Sequence, residues 1–284
     1  MNTQRFEFTD TDFEYISNLM LEHAGIHLTI NKRELIYGRL AKRLRLLNLD
    51  SFAQYCRILK DDSNQELTHC INQLTTNVTA FFRENHHFEY LSTIVLPELI
   101  KEKNNQKTNR IRIWSAGCST GEEPYSIAMT LAENRLLGHQ WDTKILASDL
   151  DSLVLEKARA GVYKIDQLEK VSAQQRKRWF KKGMKKKQGM VNVVDDLKNV
   201  IRFRELNLTS SPWPMSGPFD IIFCRNVVIY FEKEMRKKLI GQFADILVDG
   251  GYLFVGHSES LSGVTDRFTA VGKTTHRKNL RYEN

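Results

Sequence analysis

The feature that most limits the fold is an alternation of short β-rich runs with helical segments after residue 109. The runs are Ile111–Ala116, Thr143–Asp149, Val200–Leu206, Phe219–Cys224 and Tyr252–His257. The helical segments between them begin at Glu122, Ser152 and Lys233. This alternation predicts an α/β fold with a doubly wound, mostly parallel sheet. The closing runs Phe268–Val271 and Thr274–Lys278 read as an antiparallel hairpin at the sheet edge.

The N-terminal part has a different pattern, with apolar residues at helical spacing and no strand-like alternation from residue 9 to residue 76. One predicted helix carries a single apolar stripe, formed by Ile36, Leu40, Leu44 and Leu47. We therefore predict an all-helical domain over 1–76, a linker and junction helix over 77–109, and an α/β domain over 110–284.

One connection of the α/β domain is too long, because about 40 residues separate the helix near residue 160 from the next strand, whereas such connections usually take ~2–6 residues. We expect an inserted subdomain over 164–204, with a helix around 172–182 followed by a short antiparallel sheet.

Positive charge is concentrated in two places. The chain has 42 basic and 34 acidic residues, a formal net charge of +8. The 164–204 insert alone holds 13 basic and four acidic residues. A second cluster, residues 32–45, places Arg39, Lys42, Arg43 and Arg45 away from the apolar stripe of its helix. Such patches favour nucleic acid, a membrane surface or an acidic protein as partner.

The sequence disfavours a membrane-spanning protein, a secreted protein and a metal-binding protein. The longest apolar stretch, Phe219–Phe231, is interrupted by Asp220, Arg225 and Asn226, so it is too polar for a membrane span of ~20 apolar residues. The N-terminus has no apolar signal region. The four cysteines show no metal-ligand spacing. We expect free thiols, no metal, no membrane insertion and a cytoplasmic location.

Polar residues follow the predicted strands, where ligands bind in open α/β sheets. The first loop, AGCSTGEEP, has two glycines, but Glu122 and Glu123 would repel a pyrophosphate. A cationic, phosphate-free nucleoside such as S-adenosylmethionine suits it better. Asp149 is placed to accept from ribose hydroxyls, and Asn207-Leu208 to meet adenine. Three alternatives stay open: acids also favour helix N-termini, Asp149 could be an ordinary cap in the loop after its strand, and Tyr230 in its apolar run is also typical of a core.

The segment Thr75–Arg83 lies at the junction between the two parts and alternates polar Asn77, Thr79 and Arg83 with aromatic residues. The alternative interpretation is a packed linker. His86 and His87 follow, and we expect adjacent side chains on a helix to diverge rather than hold a metal.

Five motifs occur in order: TTNVTAFFRENHHF, WSAGCSTGEEPYSIAM, ASDLD, ELNL and FCRNVVIYF. Together they resemble the CheR-type chemotaxis receptor methyltransferases, which are S-adenosylmethionine-dependent protein-glutamate O-methyltransferases. The resemblance implies a class I, Rossmann-like methyltransferase domain that produces S-adenosylhomocysteine.

The resemblance also implies residue roles. The implied cofactor-binding residues are Asn77, Thr79, Arg83, Glu123, Asp149, Asn207, Leu208, Arg225 and Asn226. Arg83 and Tyr230 would flank the transferring methyl, although Arg83 could hold either the cofactor carboxylate or the substrate carboxylate. Docking to the acidic receptor region would use Arg39, Lys42, Arg43 and Arg45. The insert would bind the receptor C-terminal tail by adding a strand.

We therefore expect a monomeric enzyme that forms glutamate methyl esters on the cytoplasmic domain of chemotaxis receptors. The alternative is a nucleic-acid methyltransferase that uses the basic insert. Against it, CRNVVIY stands where such enzymes carry an NPPY- or DPPY-type motif. A non-catalytic cofactor-binding module is a third reading, which Arg83, Asp149 and Tyr230 disfavour.

Overall fold

The computed structural model describes residues 5–61, 65–261 and 263–280. The ends of the predicted domains, residues 1–4 and 281–284, therefore lie outside the described residues. The chain divides into two compact units. A helical unit comprises Met1–Thr76 with Tyr230–Met235, and an α/β unit comprises Asn77–Ile229 with Arg236–Asn284.

The helical unit contains α1 (Asp10–Ala24), α2 (Arg33–Leu46), α3 (Phe52–Lys60) and α4 (Glu66–Leu74). Thr9 caps α1 in a reciprocal capping box with Asp12, and Gly25 ends that helix in the left-handed region at φ 68°. Apolar side chains from three of the helices are almost fully buried together: Ile16, Met20, Ile36, Leu40 and Phe52. The prediction of an all-helical N-terminal domain is confirmed.

The predicted stripe of α2 is buried at three of its four positions, Ile36, Leu40 and Leu44. Leu47 lies just past the helix end and is half-buried. The helix stops there because Asn48 takes a left-handed conformation at φ 52° and Leu49 N–H donates back to Leu44 O at 3.0 Å.

The α/β unit begins with α5 (His86–Tyr90), a π-helical turn at Leu91–Val95 and α6 (Leu96–Asn105). The next elements are β1 (Arg110–Ala116), α7 (Glu122–Glu133), β2 (Asp142–Asp149) and α8 (Ser152–Ala160). After them come β3 (Val162–Lys164), α9 (Ala173–Trp179), β4 (Phe180–Lys182), β5 (Met190–Val193), α10 (Asp195–Lys198) and β6 (Ile201–Glu205). The last are β7 (Phe219–Cys224), α11 (Lys233–Ile246), β8 (Leu247–Val255), β9 (Phe268–Gly272) and β10 (Thr275–Lys278).

The large sheet has the strand order β6-β2-β1-β7-β8-β10-β9. Its first five strands are parallel, and β10 pairs antiparallel with both β8 and β9. Ile113 of β1 is in register with Ile145 on one side and Ile221 on the other, and all three are fully buried. The predicted parallel sheet and its terminal hairpin are confirmed.

The insert forms a separate antiparallel sheet in the order β3-β5-β4. It begins at Val162, two residues earlier than predicted, because Gly161 ends α8 at φ 63° and the chain turns directly into β3. Residues 201–204 of the predicted insert belong to β6 of the large sheet, where Ile201 pairs with Ile145. Residues 180–182, expected to end a helix, instead form β4.

Among the described residues, no helix combines the length and the apolar character that crossing a bilayer requires.

Candidate active site

The polar residues predicted to bind a ligand follow four strands that are neighbours in the large sheet, β6, β2, β1 and β7. Because these strands are parallel, their carboxyl ends meet at one edge of the sheet. The residues that follow each strand there are Asn207-Leu208, Asp149, Gly117–Gly121 and Arg225-Asn226.

The loop after β1 is held close to its neighbours by backbone contacts. Gly117 N–H and Cys118 N–H both donate to Ser148 O, at 2.8 and 2.9 Å. Gly117 has φ 83°, and a Cβ at this position would lie 2.4 Å from Val227 Cγ2. Glycine is therefore required here both by the backbone conformation and by the close approach of the loop after β7.

Asp149 ties the loops after β1 and β2 together. Its carboxylate accepts from Ser119 N–H at 2.8 Å and from Asp151 N–H at 3.0 Å. Burial raises the pKa of the Asp149 carboxyl, although these backbone donors act in the opposite direction. Each carboxylate oxygen has a further lone pair, so the group keeps acceptor capacity for hydroxyl groups.

Asn77 is bound to the same two loops. Its side-chain amide donates to Asp151 Oδ2 at 2.7 Å, and its carbonyl accepts from the Ser119 hydroxyl at 2.9 Å. Asp151 also caps α8 by accepting from Leu153 N–H at 2.9 Å. The start of the junction segment is thus fixed beside the ends of β1 and β2.

Two phenylalanines anchor the rest of that segment. Phe81 packs against Tyr163 and Phe180 of the insert, with ring centroids 4.9 and 5.5 Å apart. Phe82 packs on Phe88 at 5.2 Å, and its N–H donates to the Ser126 hydroxyl at 3.0 Å. The predicted site residues on either side of this pair, Thr79 and Arg83, are less buried.

Thr79 and Arg83 are both partly exposed on this anchored segment. Arg83 Nη1 donates to Val78 O at 2.7 Å. This bond holds the guanidinium close to its own segment while leaving part of it accessible.

Arg225 is a deeply buried charge of the site, with its side chain only 2% exposed. Its guanidinium pairs with Glu123 at 3.0 Å and with Glu84 at 3.2 Å. It also donates to Arg83 O and lies 5.6 Å from the centroid of the Phe88 ring. One arginine therefore joins the end of β7, the start of α7 and the junction segment.

The two carboxylates around Arg225 respond differently to burial. Burial raises the pKa of Glu123. The charge of Arg225 and a hydrogen bond from the Ser115 hydroxyl at 2.7 Å act to lower this pKa, but burial has the larger effect. Burial acts to raise the pKa of Glu84 too, but the Arg225 charge and a hydrogen bond from Asn226 outweigh it and lower that pKa. Glu84 is therefore the firmly ionised partner of Arg225.

Asn226 adopts a left-handed conformation at φ 61°. Its side-chain amide donates to Glu84 Oε1 at 3.3 Å, and its backbone N–H donates to Glu259 Oε2 at 2.9 Å. The sequence interpretation missed both glutamates. Glu84 directly follows Arg83, and Glu259 lies just after the end of β8, so the same search for polar residues after strands would have found Glu259.

The loop after β6 provides Asn207 and Leu208. Asn207 Oδ1 accepts from Thr209 N–H at 3.0 Å and from the Thr209 hydroxyl at 2.8 Å, which forms an Asx turn. Leu208 is buried. A fixed amide beside an apolar side chain is suited to the edge and face of a purine base.

Glu84, His86 and His87 form a cluster whose possible ligand atoms lie within 4.8 Å of one another. Contrary to the expected divergence, the two histidine rings are 4.2 Å apart, because His87 is fully buried against Phe254 and His86 packs over it. Burial, with Arg225 and His86 nearby, lowers the pKa of His87 to about 3, so its ring is neutral. Arg225 already supplies the positive charge that faces Glu84.

Tyr230 belongs to the compact helical unit. Its carbonyl accepts from His27 N–H at 3.3 Å, and the Lys32 ammonium lies 5.5 Å from its ring centroid. Tyr230 is half-buried rather than part of the core.

The four predicted docking residues of α2 differ in their surroundings. Arg43 forms an ion pair with buried Glu66 at 2.5 Å. Arg39 Nη1 donates to the carbonyls of Leu74 and Thr75, both at 2.8 Å, at the C-terminal end of α4. Lys42 and Arg45 are exposed, with Arg45 5.5 Å from the Phe6 ring centroid.

The side chains at the carboxyl edge of the large sheet are chemically suited to a nucleoside that carries a sulfonium. Asp149 places a carboxylate, whose pKa burial raises, at the end of β2, and buried Leu208 adjoins Asn207 at the end of β6. Glu122 and Glu123 at the start of α7 are buried acids, which suit a cation better than a pyrophosphate. The residues present thus agree with the cofactor expected from the sequence.

A mostly parallel sheet with this ligand edge is compatible with an S-adenosylmethionine-dependent methyltransferase. Comparison with known proteins narrows the class. The family described as CheR methyltransferase, SAM binding domain, matches residues 77–277, and the CheR methyltransferase all-alpha domain matches residues 11–75. The chain belongs to the CheR methyltransferase family. The predictions of enzyme class and cofactor are confirmed.

Curated proteins with similar sequences align with nearly the whole chain. The chemotaxis protein methyltransferase of Salmonella typhimurium is 42% identical over 276 residues, 96% of this chain and 92% of its own. That of Escherichia coli is 42% identical over 278 residues, 96% and 93% of the two chains. Chemotaxis protein methyltransferase 2 of Pseudomonas aeruginosa is 42% identical over 274 residues, 96% and 95%. These relatives give no support to the nucleic-acid alternative.

Proposed function

We propose that this protein transfers a methyl group from S-adenosylmethionine to glutamate side chains of chemotaxis receptors and so forms glutamate methyl esters. The observation that carries the proposal is the match of both parts of the chain to the CheR family, with 42% identical relatives named chemotaxis protein methyltransferases. The ligand edge of the large sheet supplies residues that fit the cofactor.

The proposed reaction requires no proton transfer by the protein. A glutamate carboxylate with an ordinary pKa of ~4.3 is already ionised at pH 7, so no general base is required. S-adenosylmethionine supplies an electrophilic methyl group on a sulfonium and leaves as neutral S-adenosylhomocysteine. The residues of this chain therefore have to orient the carboxylate in line with the methyl and exclude water.

We assign the cofactor to the sheet edge. Asp149 would accept from the ribose hydroxyls, Asn207 and Leu208 would hold the adenosine, and Asn77 with Thr79 would line the pocket. Glu123 would contact the cofactor from the loop after β1, and Arg225 with Asn226 would form the floor of the site. The buried ion pair of Glu123 with Arg225 at 3.0 Å holds these parts together.

The catalytic residues proposed are Arg83 and Tyr230. The partly exposed guanidinium of Arg83 is suited to a bidentate bond with a carboxylate, from either the cofactor or the substrate. A fluorescence titration of Arg83→Ala with S-adenosylhomocysteine separates the two roles, because only a cofactor contact weakens product binding.

Receptor docking would use two surfaces. Exposed Lys42 and Arg45 of α2 suit an acidic helix, and Arg39 and Arg43 complete the basic face. In the insert, β5 is central while β3 and β4 lie at the edges, so an extended receptor tail would add a strand there. Monomeric state, cytoplasmic location and the domain limits 1–76, 77–109 and 110–284 remain part of this proposal, whereas the insert predicted at 164–204 is placed between Val162 and the start of β6.

The decisive experiment incubates the purified protein with methyl-labelled S-adenosylmethionine and receptor membranes that were demethylated beforehand. We expect label on the receptor that mild alkali releases as methanol, as a carboxyl methyl ester requires. Nuclease-treated membranes should be labelled equally. Transfer to nucleic acid, or no transfer by a protein that binds the cofactor, would contradict the proposal. Receptors with and without their C-terminal tail test the insert.

A further inference from the structure

A buried carboxylate outside the predicted site is hydrogen-bonded to the turn that follows β7. Glu259 is only 5% exposed and lies in the turn after β8. Its Oε2 accepts from Asn226 N–H at 2.9 Å and from Gly256 N–H at 2.5 Å, and its Oε1 accepts from Ile229 N–H at 3.1 Å. Both oxygens thus bind backbone donors, two of which belong to the turn after β7.

Gly256 shows how closely the two turns approach each other. A Cβ built on Gly256 would lie 2.5 Å from Asn226 Nδ2, 2.7 Å from Asn226 N and 2.8 Å from Glu259 Oε2. These separations are below any real Cβ contact, so only glycine leaves room for the carboxylate to reach the Asn226 backbone.

The turn needs this support because Asn226 holds an unfavourable backbone conformation. At φ 61° it lies in the left-handed region, which residues with a side chain adopt infrequently and asparagine more readily than most. Its side chain is held by Glu84 Oε1 and its backbone by Glu259, so the two glutamates fix it from different sides.

We propose that Glu259 is a positioning residue for cofactor binding, which acts by fixing the backbone of the Asn226–Ile229 turn. The proposal rests on the cofactor role assigned above to Asn226 and Arg225. A carboxylate is needed because both of its oxygens accept, whereas a glutamine would turn an NH₂ group toward one of the three backbone N–H donors.

The test compares Glu259→Gln with Asp220→Asn. Asp220 is the matched control because it is a buried carboxylate on β7 at the opposite end of the strand, where it accepts from Arg112 N–H at 2.7 Å and pairs with Lys103 at 2.6 Å. Isothermal titration calorimetry with S-adenosylmethionine, on protein verified as folded by circular dichroism, is the readout.

We expect Glu259→Gln to raise the Kd for S-adenosylmethionine about tenfold, because one backbone donor loses a charged acceptor and the turn relaxes. Asp220→Asn should lower the thermal midpoint while its Kd stays within twofold of the unmodified protein. A Kd within twofold for Glu259→Gln would overturn the proposal, as would an equal rise in Kd for both variants.

A second pair of variants applies if Glu259→Gln does not fold. Gly256→Ala inserts a methyl group between the two turns and should raise the same Kd, whereas Gly241→Ala in α11 has no atom within 4 Å of the new Cβ and should leave it unchanged. An unchanged Kd for Gly256→Ala would overturn the proposal. Cofactor binding needs no methyl acceptor, so failure of receptor methylation leaves this test intact.

Discussion

The sheet edge and helix α2 both carry arginine, but they use it in different ways. At the sheet edge Arg225 is buried between Glu84 and Glu123. On α2, Arg43 pairs with Glu66 while Arg45 remains exposed. Formal charge counts the three arginines alike, but only the exposed one has a guanidinium that a partner can reach without breaking the fold. The comparison teaches that the partners of a cation decide its role.

The largest effect is expected at Arg225, a buried charge that two carboxylates share. Arg225→Met should lower the free energy of unfolding by about 3–5 kcal/mol, because it leaves Glu84 and Glu123 without a counter-charge. Urea unfolding followed by circular dichroism measures the loss. Arg110→Met replaces an exposed arginine on β1 and should change stability by less than about 0.5 kcal/mol. Equal losses in the free energy of unfolding for the two variants would contradict the distinction between buried and exposed arginines.

The Arg43–Glu66 pair should have an intermediate effect. Glu66 also accepts from the Tyr55 hydroxyl at 2.8 Å, and although burial acts to raise its pKa, Arg43 and Tyr55 lower it. We expect Arg43→Leu to cost about 2 kcal/mol, because a buried carboxylate loses its charged donor. Urea titration of the purified variant measures this cost.

The same pair predicts a pH dependence. Since the pKa of Glu66 is lower in the folded state, its stabilising contribution is present above the unfolded value of ~4.5 and is lost as pH falls through the folded value. Glu66→Gln should therefore flatten the fall in stability below pH 5, measured against the unmodified protein. A parallel fall in both proteins would show that Glu66 is not the titrating group.

These contacts mark the limit of the sequence interpretation. The strand ends were predictable, because a polar residue directly after a β-rich run, such as Asp149, identifies its own position. The partners were not, because Arg225 and Glu84 are 141 positions apart and nothing local links them. For the same reason a helical projection placed Arg43 off the apolar stripe but could not show that Glu66 of α4 draws it inward.

The insert contacts the sheet edge through a neutral residue, in contrast to the arginines of the sheet edge and of α2. Tyr163 of β3 donates its hydroxyl to Thr120 O at 2.7 Å, in the loop after β1. Tyr163→Phe should cost about 1 kcal/mol and raise the Kd for S-adenosylmethionine roughly threefold. Lys181→Ala on β4, whose side chain is 67% exposed, should change neither quantity. Equal effects of the two changes would show that the Tyr163 hydroxyl has no specific role at the site.

The smallest change in stability is expected for exposed Lys42 and Arg45. Replacing both with alanine should raise the KM for receptor several-fold and make it less dependent on salt, because two long-range attractions to an acidic partner are removed. The free energy of unfolding should move by less than about 0.5 kcal/mol. The matched double variant, Arg39→Ala with Arg43→Ala, removes the same charge but also the contacts to α4, so its KM and its stability should both change. If the two double variants are equally stable, the contacts of Arg39 and Arg43 to α4 contribute nothing to stability.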